Sequence, residues 1–258
     1  MSQDTTRWMN QKFAKLFIAK EYYHHHAREI LNANISLKEK ITFNLSKNIS
    51  ITPRIKITKK TESSAIKAED LNKEIRMLLK KSSSNNLKFE VFEERGVFYF
   101  SSEKSSIGGF DFAYINHEKN LYALRNICFG EVSYHNGLSK WNNFINKNKE
   151  LKGLLPIINS DEIGKDIIYK KKNTDAPLFV GEIQFGNWAL AYRDLFKVLK
   201  ANVQNSIDCL IYIVPTGTLE SMLSDGIVTY DKIVKILEEF AKIISVPVWV
   251  VGIDLELQ

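Results

Sequence analysis

Glu182 and Gln184 sit two residues apart in the apolar run from Leu178 to Phe185, which Pro177 and Gly186 bound. Such a run predicts a buried strand. The strand's two-residue period sends both polar side chains out on one face. A carboxylate and an amide aimed together from a core strand are costly unless they bind something. Upstream lies Asp166, giving Asp166-x15-Glu182-x-Gln184. An antiparallel hairpin of Ile167-Ile168-Tyr169 with 178–185 would bring Asp166 beside Glu182. Asp166, Glu182 and the main-chain carbonyl of Ile183 then form a hard-oxygen donor set suited to Mg²⁺. A metal held there would polarise a phosphodiester and activate a bound water. The competing account is plain surface charge flanking a hairpin, since acids at this spacing are common.

Other residues compete for the same chemistry. Asp175, in the turn, is a substitute for Asp166. Asp111 and Glu131-x-Ser133 form a second acid pair, expected on two further strands, and Glu131 is alternatively a supporting acid for Glu182. The basic turn Lys170-Lys171-Lys172 suits phosphates, which would position a polyanionic partner without specifying its sequence. His24-His25-His26 is read as part of a solvated helix surface, where three adjacent residues fan around the axis and cannot converge on one metal. His117 and His135 fall in polar loops and are expected to face solvent. Phosphate-binding Gly-rich loops, Gly-x-Ser-x-Gly and His-Glu-x-x-His are all absent from the sequence, which argues against the common nucleotide-binding, serine-hydrolase and zinc-protease designs.

Several elements must position these groups. The spacing predicts a helix over 5–33, two half-exposed strands within 37–60, and an amphipathic helix over 67–81 with Leu71, Ile75, Leu78 and Leu79 inward. A polar linker at 82–86 follows. A hairpin turning at Arg95-Gly96 joins 88–93 to 97–100; strands at 110–115 and 121–124 and a helix over 141–151 come next. After the 178–185 strand, a helix over 187–204 carries Trp188, Tyr192, Leu195 and Leu199 on one stripe. Apolar strands at 209–214 and 247–253 flank a helix over 230–244. Strands separated by helices imply an α/β fold with a central mixed sheet flanked by helices. Residues 1–105 read as an N-terminal α+β extension with DNA-contacting potential and 106–258 as the core, the whole also compatible with one compact domain.

A chain of 258 residues with 44% hydrophobic content can bury a substantial core. Its net charge of +6 leans gently towards a polyanionic partner. The two cysteines, Cys128 and Cys209, lie in apolar surroundings, which excludes a disulfide framework and a thiolate zinc site. No apolar run is long enough for a membrane span, so the expectation is a soluble cytoplasmic protein.

The run from Gly181 through Phe196 resembles the catalytic strand and following helix of type II restriction endonucleases of the PD-(D/E)XK superfamily, in the group of BamHI, BglII and BstYI. The likeness continues through Ser206-Ile-Asp208, Ser224 to Tyr230, and Val246 to Ile253. A fainter one covers Gly130 to Trp141, where the relatives carry a DNA-facing loop and helix. The resemblance implies a restriction-endonuclease-like fold and a bacterial homodimer, meeting through helix 187–204 or 230–244, that cuts duplex DNA with Mg²⁺. It implies a short palindromic target centred on GATC and a cognate DNA methyltransferase. By position, Asp166 and Glu182 are the implied ligands, with Gln184 in the slot of the usual lysine. Ser139, Lys140, Lys170, Lys171, Lys172 and Asn187 are the implied DNA contacts. The gap from Asp166 to Glu182 is longer than in the relatives, which leaves Asp166, Asp175 and Asp111 in competition for the first ligand. Two other functions fit the same residues: a non-catalytic DNA-binding protein, and a repair nuclease that reads structure rather than sequence.

Overall fold

The computed structural model describes residues 3–58, 61–81, 86–100, 109–170, 172, 177–204 and 207–257. Its elements run α1 (Gln3–Met9), β1 (Phe13–His24), α2 (Ala27–Ala33), α3 (Ile35–Asn44), β2 (Asn48–Ser50), β3 (Pro53–Thr58), β4 (Thr61–Ile66) and α4 (Ala68–Lys81). Next come β5 (Leu87–Glu94), β6 (Val97–Tyr99), β7 (Phe110–Tyr114), α5 (His117–Phe129), α6 (Gly137–Lys147) and β8 (Phe179–Ile183). The chain continues with α7 (Ala189–Val203), β9 (Cys209–Pro215), α8 (Gly217–Met222), α9 (Tyr230–Glu239) and β10 (Val248–Leu257). The fold is α/β. No helix among the described residues is long and apolar enough to cross a membrane.

Two compact units divide the chain. The first comprises Met1–Ser84, Gly181–Phe196 and Cys209–Gln258; the second comprises Asn85–Val180 and Lys197–Asp208. The first holds strands in the order β2-β1-β10-β9, followed by the Gly181–Ile183 end of β8. Its sheet is mixed: β10 runs parallel to β9 and antiparallel to β1. Every residue of β9 is buried, as suits a strand covered on both faces. A separate antiparallel pair, β3 and β4, lies in the same unit, where the Trp8 indole donates to the Arg54 carbonyl at 2.8 Å.

The N-terminal expectation fails in an instructive way. Residues 13–24 are a strand, not part of a long helix, and pair with β10 from Ala14 opposite Leu257 to His24 opposite Val248. Long-range pairing overrides a local pattern that fits either period. In β1, Ala14 and Leu16 are buried while Phe13 and Lys15 face out. The histidine triplet therefore lies at a strand end: His24 is buried and its Nε2 lies 2.8 Å from the Ile244 carbonyl oxygen. His25 Nε2 shares that carbonyl at 2.9 Å and adds Ala241 at 3.0 Å. Of the segment 37–60, expected to hold two strands, residues 37–44 belong to α3, and the strands β2 and β3 follow. The expected α4 is present, with Leu71, Ile75, Leu78 and Leu79 buried. Of the linker at 82–86, all but Asn86 lies outside the described residues.

In the second unit the β5–β6 hairpin turns at Arg95 (φ 54°) and Gly96 (φ 86°), two left-handed residues as a tight hairpin requires. Residues 121–124, expected as a strand, belong to α5, whose start is fixed by Asn116: its side-chain oxygen accepts the Lys119 N–H at 3.0 Å. Leu121, Leu124 and Cys128 then face a core with Val97, Trp141 and Phe144. His117 opens α5 and is buried, its ring edge-on to Phe100 at 5.5 Å, rather than facing solvent.

Candidate active site

Strand β8 is buried throughout, and it delivers Glu182 and Gln184 at 4% and 7% exposure. Past Ile183 the chain turns through Gly186 and Asn187 into α7. The turn is pinned on both sides: Val228 N–H donates to the Gly186 carbonyl at 2.9 Å, and Trp188 N–H to the Gly226 carbonyl at 2.8 Å. A Cβ on Gly186 would lie 2.9 Å from Gln184 Oε1 and 3.0 Å from Leu190 Cδ1, so a side chain there would displace the Gln184 amide.

Both ends of the Gln184 amide are engaged. Its Oε1 accepts the Gly186 N–H at 2.9 Å, and its Nε2 donates to Asp194 Oδ2 at 2.7 Å. The same Asp194 oxygen accepts the Tyr212 hydroxyl at 3.1 Å from β9. Asp194 is fully buried on the inner face of α7 with Ala191 and Leu195, while Trp188 and Tyr192 face outward. Of the stripe expected from Trp188, Tyr192, Leu195 and Leu199, Leu195 is buried and Leu199 half-buried, while Trp188 and Tyr192 face out.

Helix α4 reaches the same strand end. Asn72 Nδ2 donates to the Ile183 carbonyl at 3.2 Å, and Arg76 Nε donates to Asn72 Oδ1 at 2.6 Å, one helical turn apart. The Asn72 bond orients the Ile183 carbonyl from α4. The carboxylate of Glu182 and this carbonyl are hard-oxygen donors of the kind Mg²⁺ prefers. Among the described residues no three of His, Cys, Asp and Glu cluster as a metal cage.

The hairpin on which Asp166 was placed beside Glu182 is not formed: 163–170 carries no strand. Asp166 is instead an exposed residue of the second unit, its Oδ1 accepting the Glu131 N–H at 3.1 Å. Its segment is stapled to α5. Asn126 accepts the Ile167 N–H at 3.0 Å and returns a hydrogen bond to the Ile167 carbonyl at 2.8 Å. The fully buried Arg125 guanidinium donates to the carbonyls of Glu162 (2.8 Å) and Lys165. Nor do Asp111 and Glu131 form a second hairpin, because helix α5 separates them; Asp111 is half-buried on β7 and Glu131 is exposed.

The other sequence-selected residues are scattered in their surroundings. Lys140 Nζ lies 3.3 Å from both Glu94 oxygens and 3.7 Å from the Tyr134 ring centre. Lys172 Nζ donates to Glu118 at 2.6 Å. Ser139, His135 and Lys170 are exposed. Asn187 is exposed as well, its Oδ1 accepting the Ala189 N–H at 2.9 Å at the start of α7. Lys171 and Asp175 lie outside the described residues.

A family model described as restriction endonuclease BglII/BglIII matches residues 19–253. The chain belongs to this family. It is therefore a restriction endonuclease, a site-specific deoxyribonuclease, of a family that is typically metal-dependent. The match takes in β8, Gln184 and Asp194 as well as almost all of the N-terminal region that the sequence resemblance left unassigned. Among solved structures, one similar chain is restriction endonuclease BglII complexed with a DNA 16-mer, at 14% identity, covering 92% of this chain and 75% of that chain with a TM-score of 0.45. A search of curated proteins returned no match.

Sequence reasoning missed Asn72, Arg76, Asp194 and Tyr212. Asp194 carried a legible signal, since its helical position groups it with Ala191 and Leu195 as a polar residue on an apolar face. Asn72 carried none, because its partner is a main-chain carbonyl more than a hundred residues away.

Proposed function

We propose that this restriction endonuclease hydrolyses duplex DNA at a short palindromic site, with Mg²⁺, at a centre built on Glu182, Ile183 and Gln184. The observation that carries the reading is the buried carboxylate of Glu182 at the end of β8, beside an amide held at both ends. When bound, Mg²⁺ would supply Lewis acidity and lower the pKa of its water. Glu182 and the Ile183 carbonyl would hold it, and Asn72 orients that carbonyl. Gln184, a neutral amide, offers a hydrogen bond where an ammonium would offer charge. Asp166 is proposed as the second carboxylate, with Asp175 and Asp111 as its substitutes and Glu131 as a supporting acid. Asparagine at each aspartate in turn assigns the ligand as the position whose loss matches Glu182→Gln.

The exposed Ser139, Lys170 and Asn187, with Lys171 and Lys172, are proposed to contact DNA. Lys140 is proposed to join them by exchanging Glu94 for a phosphate, which contributes position rather than sequence. A target centred on GATC is proposed from the sequence resemblance, as is a cognate methyltransferase. We also propose a homodimer, since a palindromic site requires two symmetric centres. Trp188, just before α7, and Tyr192 and Phe196 along it stand outward at 47%, 42% and 63% exposure. Phe240, from the end of α9, meets Tyr192 edge-on at 6.4 Å. An outward aromatic row of this kind is characteristic of a covered surface.

The test is digestion of a phage DNA of known sequence with Mg²⁺ and with EDTA, using the full chain and Glu182→Gln. Discrete fragments that need Mg²⁺ and disappear in the variant are expected, and their ends give the target. Fragments cut equally by Glu182→Gln would remove the proposed centre.

A further inference from the structure

Asp194 is fully buried and comes from a different element than Gln184; its Oδ1 lies 3.4 Å from Arg193 Nη2, while its Oδ2 faces Gln184 and Tyr212. A carboxylate only accepts hydrogen bonds, so whatever faces it must donate. The Gln184 amide has two ends of opposite character and nearly identical shape, and two orientations are open to it. Asp194 removes one of them. With Nε2 directed at Asp194 Oδ2 (2.7 Å), Oε1 is directed at the Gly186 N–H (2.9 Å), and a flip would set oxygen against carboxylate and N–H against N–H. One N–H and one lone pair of the amide are left over, at fixed positions. Tyr212 donates to the same carboxylate oxygen at 3.1 Å and restrains it from the neighbouring strand β9.

We propose that Asp194 is a positioning residue for cleavage: it locks the Gln184 amide so that a defined N–H is presented beside Glu182. The proposal rests on the reading of Glu182 and Gln184 as the active centre. It accounts for a buried acid on α7 that packing alone does not call for, because an apolar residue there would avoid the desolvation that a buried carboxylate incurs. Partners that orient a residue next to a metal centre are worth about 10- to 100-fold in affinity or activity.

Two readouts test it, one of them independent of metal and of turnover. In the metal-free full chain, the side-chain ¹H–¹⁵N pair of Gln184, assigned by its absence in Gln184→Glu, reports the bond to Asp194. Asp194→Asn is expected to move that pair. The same variant is expected to lower the single-turnover cleavage rate about 10- to 100-fold at saturating Mg²⁺ while leaving DNA affinity in EDTA unchanged. Tyr212→Phe keeps the carboxylate but loosens it, and is expected to shift the amide pair and slow cleavage by less. The double variant Asp194→Asn/Gln184→Glu separates positioning from stability. There the asparagine introduced at 194 donates to the glutamate introduced at 184, so the denaturation midpoint recovers. No N–H is presented beside Glu182, so the rate stays low. A wild-type chain that never cuts DNA with Mg²⁺ removes the active-centre reading and the positioning role with it. If wild type cuts and Asp194→Asn cuts equally fast, or if the double variant regains the rate, the positioning role alone is overturned. An unmoved Gln184 resonance in both Asp194→Asn and Tyr212→Phe overturns it too.

Discussion

Asn126 offers the sharpest stability test in the second unit. Its side chain accepts from the Ile167 N–H at 3.0 Å and donates to the Ile167 carbonyl at 2.8 Å, closing a two-bond clamp between α5 and the segment carrying Asp166. Truncation to alanine removes both bonds and, with them, a 3.3 Å contact from Arg125 Nη1 to the same oxygen. The two clamp bonds contribute about 0.5–1.5 kcal/mol net each, so their loss is about 1–3 kcal/mol. Alanine returns roughly 0.5 kcal/mol of helix propensity relative to asparagine. The net expectation is a destabilisation of about 0.5–2.5 kcal/mol, read as a lower urea midpoint with an unchanged slope. Hydrogen exchange locates the effect: the Ile167 amide loses protection, whereas amides of β9 keep theirs. A midpoint equal to wild type together with a still-protected Ile167 amide would refute the clamp.

Further expectations follow from the same structure. Trp188→Ser combined with Phe196→Ser removes two outward aromatics at and just before α7 and is expected to shift the proposed dimer to monomer in sedimentation equilibrium without loss of helicity; an unchanged association state places the interface elsewhere. The buried ring of His24 has its pKa lowered from the usual histidine value, chiefly by desolvation. A depressed pKa means the unfolded chain binds the proton more readily, so this contribution is intact above the unfolded value of about 6.5 and is lost as pH falls below it. Thermal unfolding from pH 7.5 to 5 is therefore expected to show a falling midpoint, and His24→Gln to show a shallower fall; equal slopes contradict it. Burial pushes the Cys128 thiol up to about 11, and Cys209 is wholly buried. Both thiols are expected to resist a disulfide reagent at pH 8 until denaturant is added, so native labelling at wild-type conditions would show an open core.

The sequence made legible what depends on local pattern. The run 178–185 reads as a core strand from its composition, and period-two alternation then puts Glu182 and Gln184 together without any knowledge of the rest of the fold. Helix α4 reads from its stripe, and the β5–β6 turn from Arg95-Gly96. Illegible parts share one cause, which is that a distant partner decides them. The segment 13–24 fits a helix until β10 supplies a ladder along its length. The segment 166–169 fits a strand until Asn126 takes the carbonyl and amide of Ile167, and Arg125 the carbonyls of Glu162 and Lys165 just before it, as a loop. Residues 121–124 were within reach, because Asn116 three residues before Lys119 is a helix-start signal that outweighs a short apolar run.

Helix α7 ties two of the proposals together. Its inward face carries Asp194 against Gln184, and its outward face carries Tyr192 and Phe196, with Trp188 just before its start. A helix held by a partner on one side has less freedom to shift on the other, and Asp194 tolerates little shift, because its bond to Gln184 is already 2.7 Å. Dimer formation on the outer face would then sharpen the Gln184 orientation on the inner one, so that a centre lacking its partner is also a centre with a looser amide. The variant that weakens the dimer distinguishes this coupling from simple loss of a second DNA contact. Coupling moves the Gln184 side-chain resonance in the absence of DNA, whereas loss of a DNA contact leaves it where it is.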